Sequence, residues 1–372
     1  MTSTTRPLCI SSDSHVVEPP ELFEPLVKRF GDEAPHIVFR EDIGPQMYIG
    51  DGKWGFVITG FLQAGFDFGR PDAAEVKKMG YDLARPGVYD VKERIEDQDL
   101  DGIDAEVIYP SIIFDVYKVQ DVEILNATFQ TYNDWTADYC KEAPDRLFGL
   151  ACVQLYDLDA AIAEMHRAKD LGHVGLCIPA TAPPEHPYSD PWYDRFWAAA
   201  EDAKMPLTMH IFTGATPNHG LPHRAAASPL AFAGMTFTIY DLIYGGVLER
   251  FPGLKFVITE FETGWIAMTL NRLDWNWFRG GGARTMPTPE KPSFYWKRNF
   301  YATLEDDILG IRTRDVISPG SLMWGSDYPH GDSVFPDSQG VLDRIMEGVP
   351  ADERYLMTAK NVVDLYDLPF EA

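Results

Sequence analysis

Leu8-Cys9-Ile10-Ser11-Ser12-Asp13-Ser14-His15 is a short apolar run that ends in a carboxylate and an imidazole two residues apart. In an extended strand, side chains at i and i+2 point to the same face, so Asp13 and His15 can converge on one object. Hard-to-borderline metals accept both ligand types. The triplet gains meaning from its company. Leu207-Thr208-Met209-His210 ends a second apolar run, and Trp324-Gly325-Ser326-Asp327-Tyr328-Pro329-His330 ends a third.

Working outward, apolar runs that read as strands fall at 8–12, 105–109, 147–153, 174–178, 207–210, 255–259, 299–303 and 321–325. Helical periodicity fills the intervals. One such helix, at 122–142, has Leu125, Phe129, Tyr132, Trp135 and Tyr139 on one side. Alternating βα units imply a parallel sheet, and eight of them predict a closed (β/α)8 TIM barrel. An open doubly wound sheet is the alternative, but no Gly-x-Gly-x-x-Gly follows any strand. The reading is one α/β domain, 1–372. An insertion at about 16–90 follows strand one, and a lid loop spans about 212–230; both lie over the C-terminal face of the barrel. The insertion is dense in Pro, Gly and aromatics and reads as short helices with a hairpin. Residues 280–292 read as loop, and Arg94 with Asp97, Asp99 and Asp101 as a solvated helix face.

The 32 basic and 57 acidic residues leave a net charge of −25. That balance argues against nucleic acid or an anionic membrane surface as a partner, but not against a small anionic substrate in a local pocket. Cys9, Cys140, Cys152 and Cys177 are widely spaced, so neither a disulfide framework nor a thiolate zinc site is indicated. No signal-like segment and no run of about 18 apolar residues is present. A reduced, soluble, cytoplasmic protein is expected. Its expected partners are a small molecule, bulky and apolar given the long lids, and a second copy through the Trp-rich helix at 266–278.

In a barrel, polar residues at the C-terminal strand ends read as active site. Asp13, His15, His210, Glu260 and Asp327 fall there. Each has a bland alternative. Asp13 and His15 could cap backbone donors, His210 could be a core histidine, and Asp327 an Asx-turn residue. Several ionisable groups at one end of a dry barrel are costly unless compensated, and a divalent cation resolves that cost.

Five segments carry a family resemblance: Asp13-Ser14-His15-Val16-Val17-Glu18-Pro19, Gly102-Ile103-Asp104, Met209-His210, the run from Gly245 to Lys255, and Gly325-Ser326-Asp327-Tyr328-Pro329-His330. Together they resemble the amidohydrolase-related family, in the branch that includes aminocarboxymuconate-semialdehyde decarboxylase and the resorcylate decarboxylases. The resemblance implies a (β/α)8 barrel with a metal held by Asp13, His15, His210 and Asp327, used to polarise a carbonyl or to make hydroxide from water. Two departures stand out. Asp13 replaces the first histidine of the strand-one His-x-His found in many members. The histidine expected after strand six is absent, and Glu260 and Glu262 stand there instead.

Three functions follow as expectations. The first is a metal-dependent hydrolase or non-oxidative decarboxylase (carboxy-lyase) acting on a largely apolar carbonyl or carboxylate substrate. It would use one or two divalent ions (Zn, Mn or Fe), with Glu260 handling the proton and His330 and Asp327 assisting. The second is a non-haem di-iron monooxygenase, in which Glu260 becomes a ligand to two Fe. The third is a catalytically inactive binding barrel. Glu18 and His330 stand in reserve as ligands. Trp54 and Phe212 are expected as pocket walls, and His219 and His223 as a solvated lid or as substrate contacts.

Overall fold

The structure is a computed structural model, and it describes residues 6–66, 77–183, 185–213, 231–282 and 286–371. Its strands in chain order are β1 (Ile10–Val16), β2 (His36–Arg40), β3 (Gly44–Gly50), β4 (Lys53–Val57), β5 (Ala105–Pro110), β6 (Leu147–Cys152), β7 (Gly175–Ile178), β8 (Leu207–His210), β9 (Phe256–Thr259), β10 (Phe300–Leu304) and β11 (Leu322–Trp324). β1 and β5 to β11 form one eight-stranded sheet in sequence order, with every pair parallel. The ends meet. His15 N donates to Tyr328 O at 2.6 Å, and Asp327 N donates to Asp13 O at 2.9 Å. This is the (β/α)8 barrel that the strand count predicts; seven of the eight strands fall within one residue of the sequence reading, and β1 ends four residues later than expected.

The barrel strands are apolar because both faces are covered: β5, β6, β8 and β9 are buried at every position. The helices that cover them start where the chemistry of capping allows. Asp121 accepts from the backbone of Glu123 and Ile124 to open Val122–Lys141. Asp157 does the same for Leu158–Leu171, which stops at Gly172 in the left-handed region. On the far side, Trp296 stacks on Phe300 with centroids 5.3 Å apart. No helix among the described residues is long and apolar enough to cross a membrane.

Several expectations shift. β1 runs on to Val16, so Asp13 and His15 lie inside the strand, next to a register irregularity between Ser11 and Ser14. The insertion after β1 contains the helix Glu24–Phe30 and a three-stranded antiparallel sheet, β2-β3-β4, instead of a single hairpin. The helical stretch after the lid is divided into Phe232–Tyr244 and Val247–Arg250 by Gly246, whose φ is 76°. Pro292–Asn299 is helical, filling the interval to which the sequence reading assigns no element between the loop at 280–292 and the strand at 299–303. At two turns it is too short to show a periodicity, and its buried Tyr295 and Trp296 resemble strand residues. The helix Val91–Asp101 is not a solvated charged face. Arg94, Asp97 and Asp101 are buried and only Asp99 is exposed, because the charges have internal partners in Glu106, Tyr328 and Ser338.

Gly325 lies where the closing seam is tightest: a Cβ there would stand 2.4 Å from the Asp13 Cβ. Gly325→Ala is therefore expected to force β1 and β11 apart and to cost about 1–3 kcal/mol. A lowered urea midpoint with an unchanged slope is the expected readout; an unchanged midpoint would refute the close approach.

Candidate metal centre

Four backbone segments converge over the mouth of the barrel. β1 supplies Asp13 and His15, β8 ends in His210, Glu260 follows β9, and Asp327 and His330 follow β11. Phe212, Glu260 and Asp327 hold positive φ angles of 70°, 62° and 51°. Left-handed backbone is unfavourable for side-chain-bearing residues and persists where the surroundings over-determine it, typically at functional sites.

Asp13, His15, His210 and Asp327 are at most 1% exposed. His15 Nε2 lies 3.4 Å from both Asp13 Oδ1 and Asp327 Oδ1. His210 Nε2 lies 3.8 Å from Asp13 Oδ1 and 3.0 Å from Glu260 Oε2. The outer ring nitrogens settle the tautomers. His15 Nδ1 is 2.7 Å from the Pro110 carbonyl, and His210 Nδ1 is 2.9 Å from the Ile211 carbonyl. A carbonyl only accepts, so each Nδ1 carries a hydrogen, and the Nε2 that faces the centre is the atom free to offer a lone pair to a metal. Asp13 Oδ1, His15 Nε2, His210 Nε2 and both Asp327 oxygens are buried without a well-formed hydrogen bond. Lone pairs that face one another without a donor are costly. A divalent cation is the species these groups fit: ligand atoms of Asp13, His15 and His210 can approach one point, and those of His15, Glu260, Asp327 and His330 can approach another beside it.

The electrostatics agree. Burial, then the charges of Glu260, Glu305 and Asp13, hold the Asp327 carboxyl well above the usual carboxylate range. Glu305 is raised in the same way, by burial and then by Glu260, Asp13 and Glu262. Burial lowers His210, but Glu260 and Asp13 more than offset it and the net shift is upward. The site is thus short of positive charge.

His330 stands beside Asp327: its Nδ1 lies 2.8 Å from Asp327 Oδ1 and its Nε2 lies 2.9 Å from Ser111 Oγ, while its ring also falls in ligand range together with His15, Glu260 and Asp327. Burial, with His15 and His210 adding to it, pushes it well below its ordinary value, which keeps the ring neutral. Glu18 is spent elsewhere: its carboxylate accepts from Ser111 N at 3.1 Å and Ile112 N at 2.8 Å, pinning the segment after β5. Glu260 comes within ligand range of His15, Asp327 and His330.

Beside this centre lies a cavity of about 250 Å³. Its walls include Phe56, Phe61, Phe114 and Phe212, with His210, Glu260, Asp327 and His330 also on its surface. Phe212 is where the sequence placed it. Trp54 is not: it sits in β4, 43% exposed, against Tyr48 and Arg40, and Phe56 two residues on takes the wall position. His219 and His223 lie outside the described residues. The sequence reading missed Glu305, Thr303 and Ser111. Thr303 donates to Asp13 Oδ2 at 3.2 Å and accepts from Glu260 N at 3.0 Å, tying one carboxylate to the other residue's backbone. Glu305 and Ser111 each follow directly on a barrel strand, so the strand-end rule applied to every strand would have found them.

The chain is similar to several known proteins. A model of the amidohydrolase family matches residues 97–368. The gamma-resorcylate decarboxylase of Polaromonas sp. (strain JS666) is 23% identical over 236 residues, which is 58% of this chain and 69% of that protein. The fold of an amidohydrolase from Mycobacterium avium subsp. paratuberculosis is matched with a TM-score of 0.76 at 20% identity, covering 98% of this chain and 100% of that one. A dihydroxybenzoic acid decarboxylase from Polaromonas, solved with manganese and the inhibitor 2-nitroresorcinol, is matched at a TM-score of 0.67 and 18% identity, covering 98% of each chain.

Metal binding is expected to be visible in stability. Manganese added to chelator-treated protein should raise Tm, and His15→Ala, His210→Ala or Asp327→Asn should abolish the rise. The pH dependence has a definite sign. In the metal-free protein Asp327 and Glu305 hold protons that the unfolded chain releases, so their contribution is full at low pH and is lost as pH rises through the raised values. Metal requires the ionised carboxylate. The Tm difference between manganese-loaded and metal-free protein should therefore widen from about pH 5 to pH 8; a difference that stays flat or narrows would contradict the site.

Proposed function

The chain belongs to the amidohydrolase family, and from that membership and its site we propose that it is a metal-dependent enzyme that removes CO2 from an aromatic carboxylate without oxidation. The supporting observation is the set of donor-less, buried ligand atoms of Asp13, His15, His210 and Asp327 beside an aromatic-walled cavity. An anionic substrate has no reason to enter so acidic a site unless a cation sits there. A flat ring finds its match in Phe56, Phe61, Phe114 and Phe212.

When bound, the divalent ion supplies a fixed positive charge and Lewis-acid polarisation for the substrate's carboxylate and an adjacent oxygen. The chain does the rest. Asp13, His15, His210 and Asp327 hold the ion, and Thr303 orients Asp13. His330, fixed by Ser111, orients Asp327. With the ion bound Asp327 would be ionised, while burial and the neighbouring carboxylates still push the Glu305 carboxyl toward its protonated form. Glu260, on the cavity wall, is the group placed to pass a proton to the ring carbon that bears the carboxylate. As that C–H bond forms, the C–C bond to the carboxylate breaks, its electron pair returns to the ring, and CO2 leaves. Water reprotonates the cluster. The balance needs no oxidant.

Decarboxylation is preferred to hydrolysis because the gamma-resorcylate decarboxylase and the manganese-containing dihydroxybenzoic acid decarboxylase are among the chain's relatives. Those relatives give no support to the di-iron monooxygenase reading. An inactive barrel would have no need to keep a full ligand set at the cost of buried, unpaired charge.

Dihydroxybenzoates are the first substrates to test. With manganese, CO2 release is expected without oxygen uptake, and in D2O one deuterium should appear at the vacated ring carbon. Glu260→Gln should lower kcat by about 10²–10⁴-fold while the metal stays bound. Oxygen consumed in step with product would overturn the proposal, and loss of metal in Glu260→Gln would make Glu260 a ligand.

A further inference from the structure

Arg94 is a fully buried arginine outside the site, on the inner face of the helix Val91–Asp101. It reaches three elements at once. Nη1 donates to the carbonyl of His15 at 2.6 Å. Nε donates to Glu106 Oε2, on β5, at 2.7 Å. The guanidinium carbon stands 4.5 Å from the ring centroid of Tyr328, the residue after Asp327. Tyr328 is held from its other end, where its hydroxyl donates to Asp97 Oδ2 at 2.6 Å, and Arg85 pairs with the same carboxylate.

Glu106 extends the network to the opposite side of β1. Ser14 Oγ donates to Glu106 Oε1 at 3.1 Å and lies 3.1 Å from Ser326 Oγ. Ser326 N donates to Ser11 Oγ at 2.9 Å. The residues flanking Asp327 on both sides, Ser326 and Tyr328, are thereby tied to the strand that carries Asp13 and His15. A single guanidinium joins the two halves of the ligand set from behind.

We propose that Arg94 is a positioning residue that fixes the separation between the β1 ligands, Asp13 and His15, and Asp327. The inference rests on the reading of those residues as a metal set. Arginine suits the task and lysine does not. A planar fork can donate along two edges while its face lies on an aromatic ring, whereas an ammonium is a point charge. Groups that orient metal ligands from outside commonly change metal affinity by one or two orders of magnitude when removed.

Two readouts test it. The first is hydrogen exchange at the amides of His15 and Asp327, which bridge the seam to Tyr328 O and Asp13 O. The second is the manganese dissociation constant. Arg94→Met strands the Glu106 charge and can fail to fold, so both readouts are taken on the double variant Arg94→Met/Glu106→Leu, which removes both charges. In it the two seam amides should exchange roughly tenfold faster or more, while those of β6 and β7 keep their rates. Manganese should bind about 10–100-fold more weakly. Arg94→Lys, which keeps the charge beside Glu106, should fold and still show fast seam exchange. Wild-type exchange at His15 and Asp327 in the double variant, or full recovery of the seam by lysine, would overturn the proposal. An unchanged manganese constant in a double variant that shows fast exchange would overturn it as well. If the wild-type chain binds no manganese, the metal reading falls, and the seam amides alone still decide whether Arg94 is a brace.

Discussion

The barrel closes along one seam, between β1 and the chain leaving β11, and that seam carries Asp13, His15 and Asp327. Closing a sheet normally asks only that strands pair. Here the closing hydrogen bonds run through ligand residues themselves: His15 N donates to Tyr328 O, and Asp327 N to Asp13 O. The geometry of the site is therefore set by whatever sets the geometry of closure. Gly325, whose missing Cβ lets β1 approach, and the serine hydroxyls of Ser11, Ser12 and Ser14, which take up backbone and side-chain partners across the seam, are parts of the same device. The polar character of β1, odd for a strand buried on both faces, is explained by this role.

Most of the fold is legible in the sequence because parallel barrel strands are buried on both sides and stand out as apolar runs of four to seven residues. The candidate ligands are legible because each sits at or near the C-terminal end of such a run. What escapes is whatever depends on the third dimension. Arg94 reads as a surface charge on an amphipathic helix, and nothing local says that Glu106, twelve residues on, will face it from inside a strand. The insertion discloses its Pro and Gly density but not that β4 delivers Phe56 in place of Trp54 to the cavity. Short helices such as Pro292–Asn299 fall below the length at which periodicity can be read. His330 was legible as a residue but not as a role. Its contact with Ser111, 219 positions away, is visible only in the fold.

The replacement of an expected histidine by Glu260 shifts the charge at the end of β9 from neutral or positive to negative. A centre built for hydrolysis wants one base to strip a proton from water and afterwards to return it. A centre built to protonate carbon wants a reservoir of acid. Crowding Asp13, Glu260, Glu305 and Asp327 into one dry volume creates such a reservoir, because close carboxylates cannot all ionise. Under the decarboxylase proposal, a cation that compensated part of this charge would also attract the substrate's carboxylate. Attraction of the departing group and storage of the arriving proton are then two consequences of one arrangement. That is a physical reason for a carboxylate-rich site to favour loss of CO2 over attack by water. It also accounts for the apolar walls, since a ring deprived of its carboxylate leaves as a neutral or weakly polar product that Phe56, Phe61, Phe114 and Phe212 can accommodate without a charged partner.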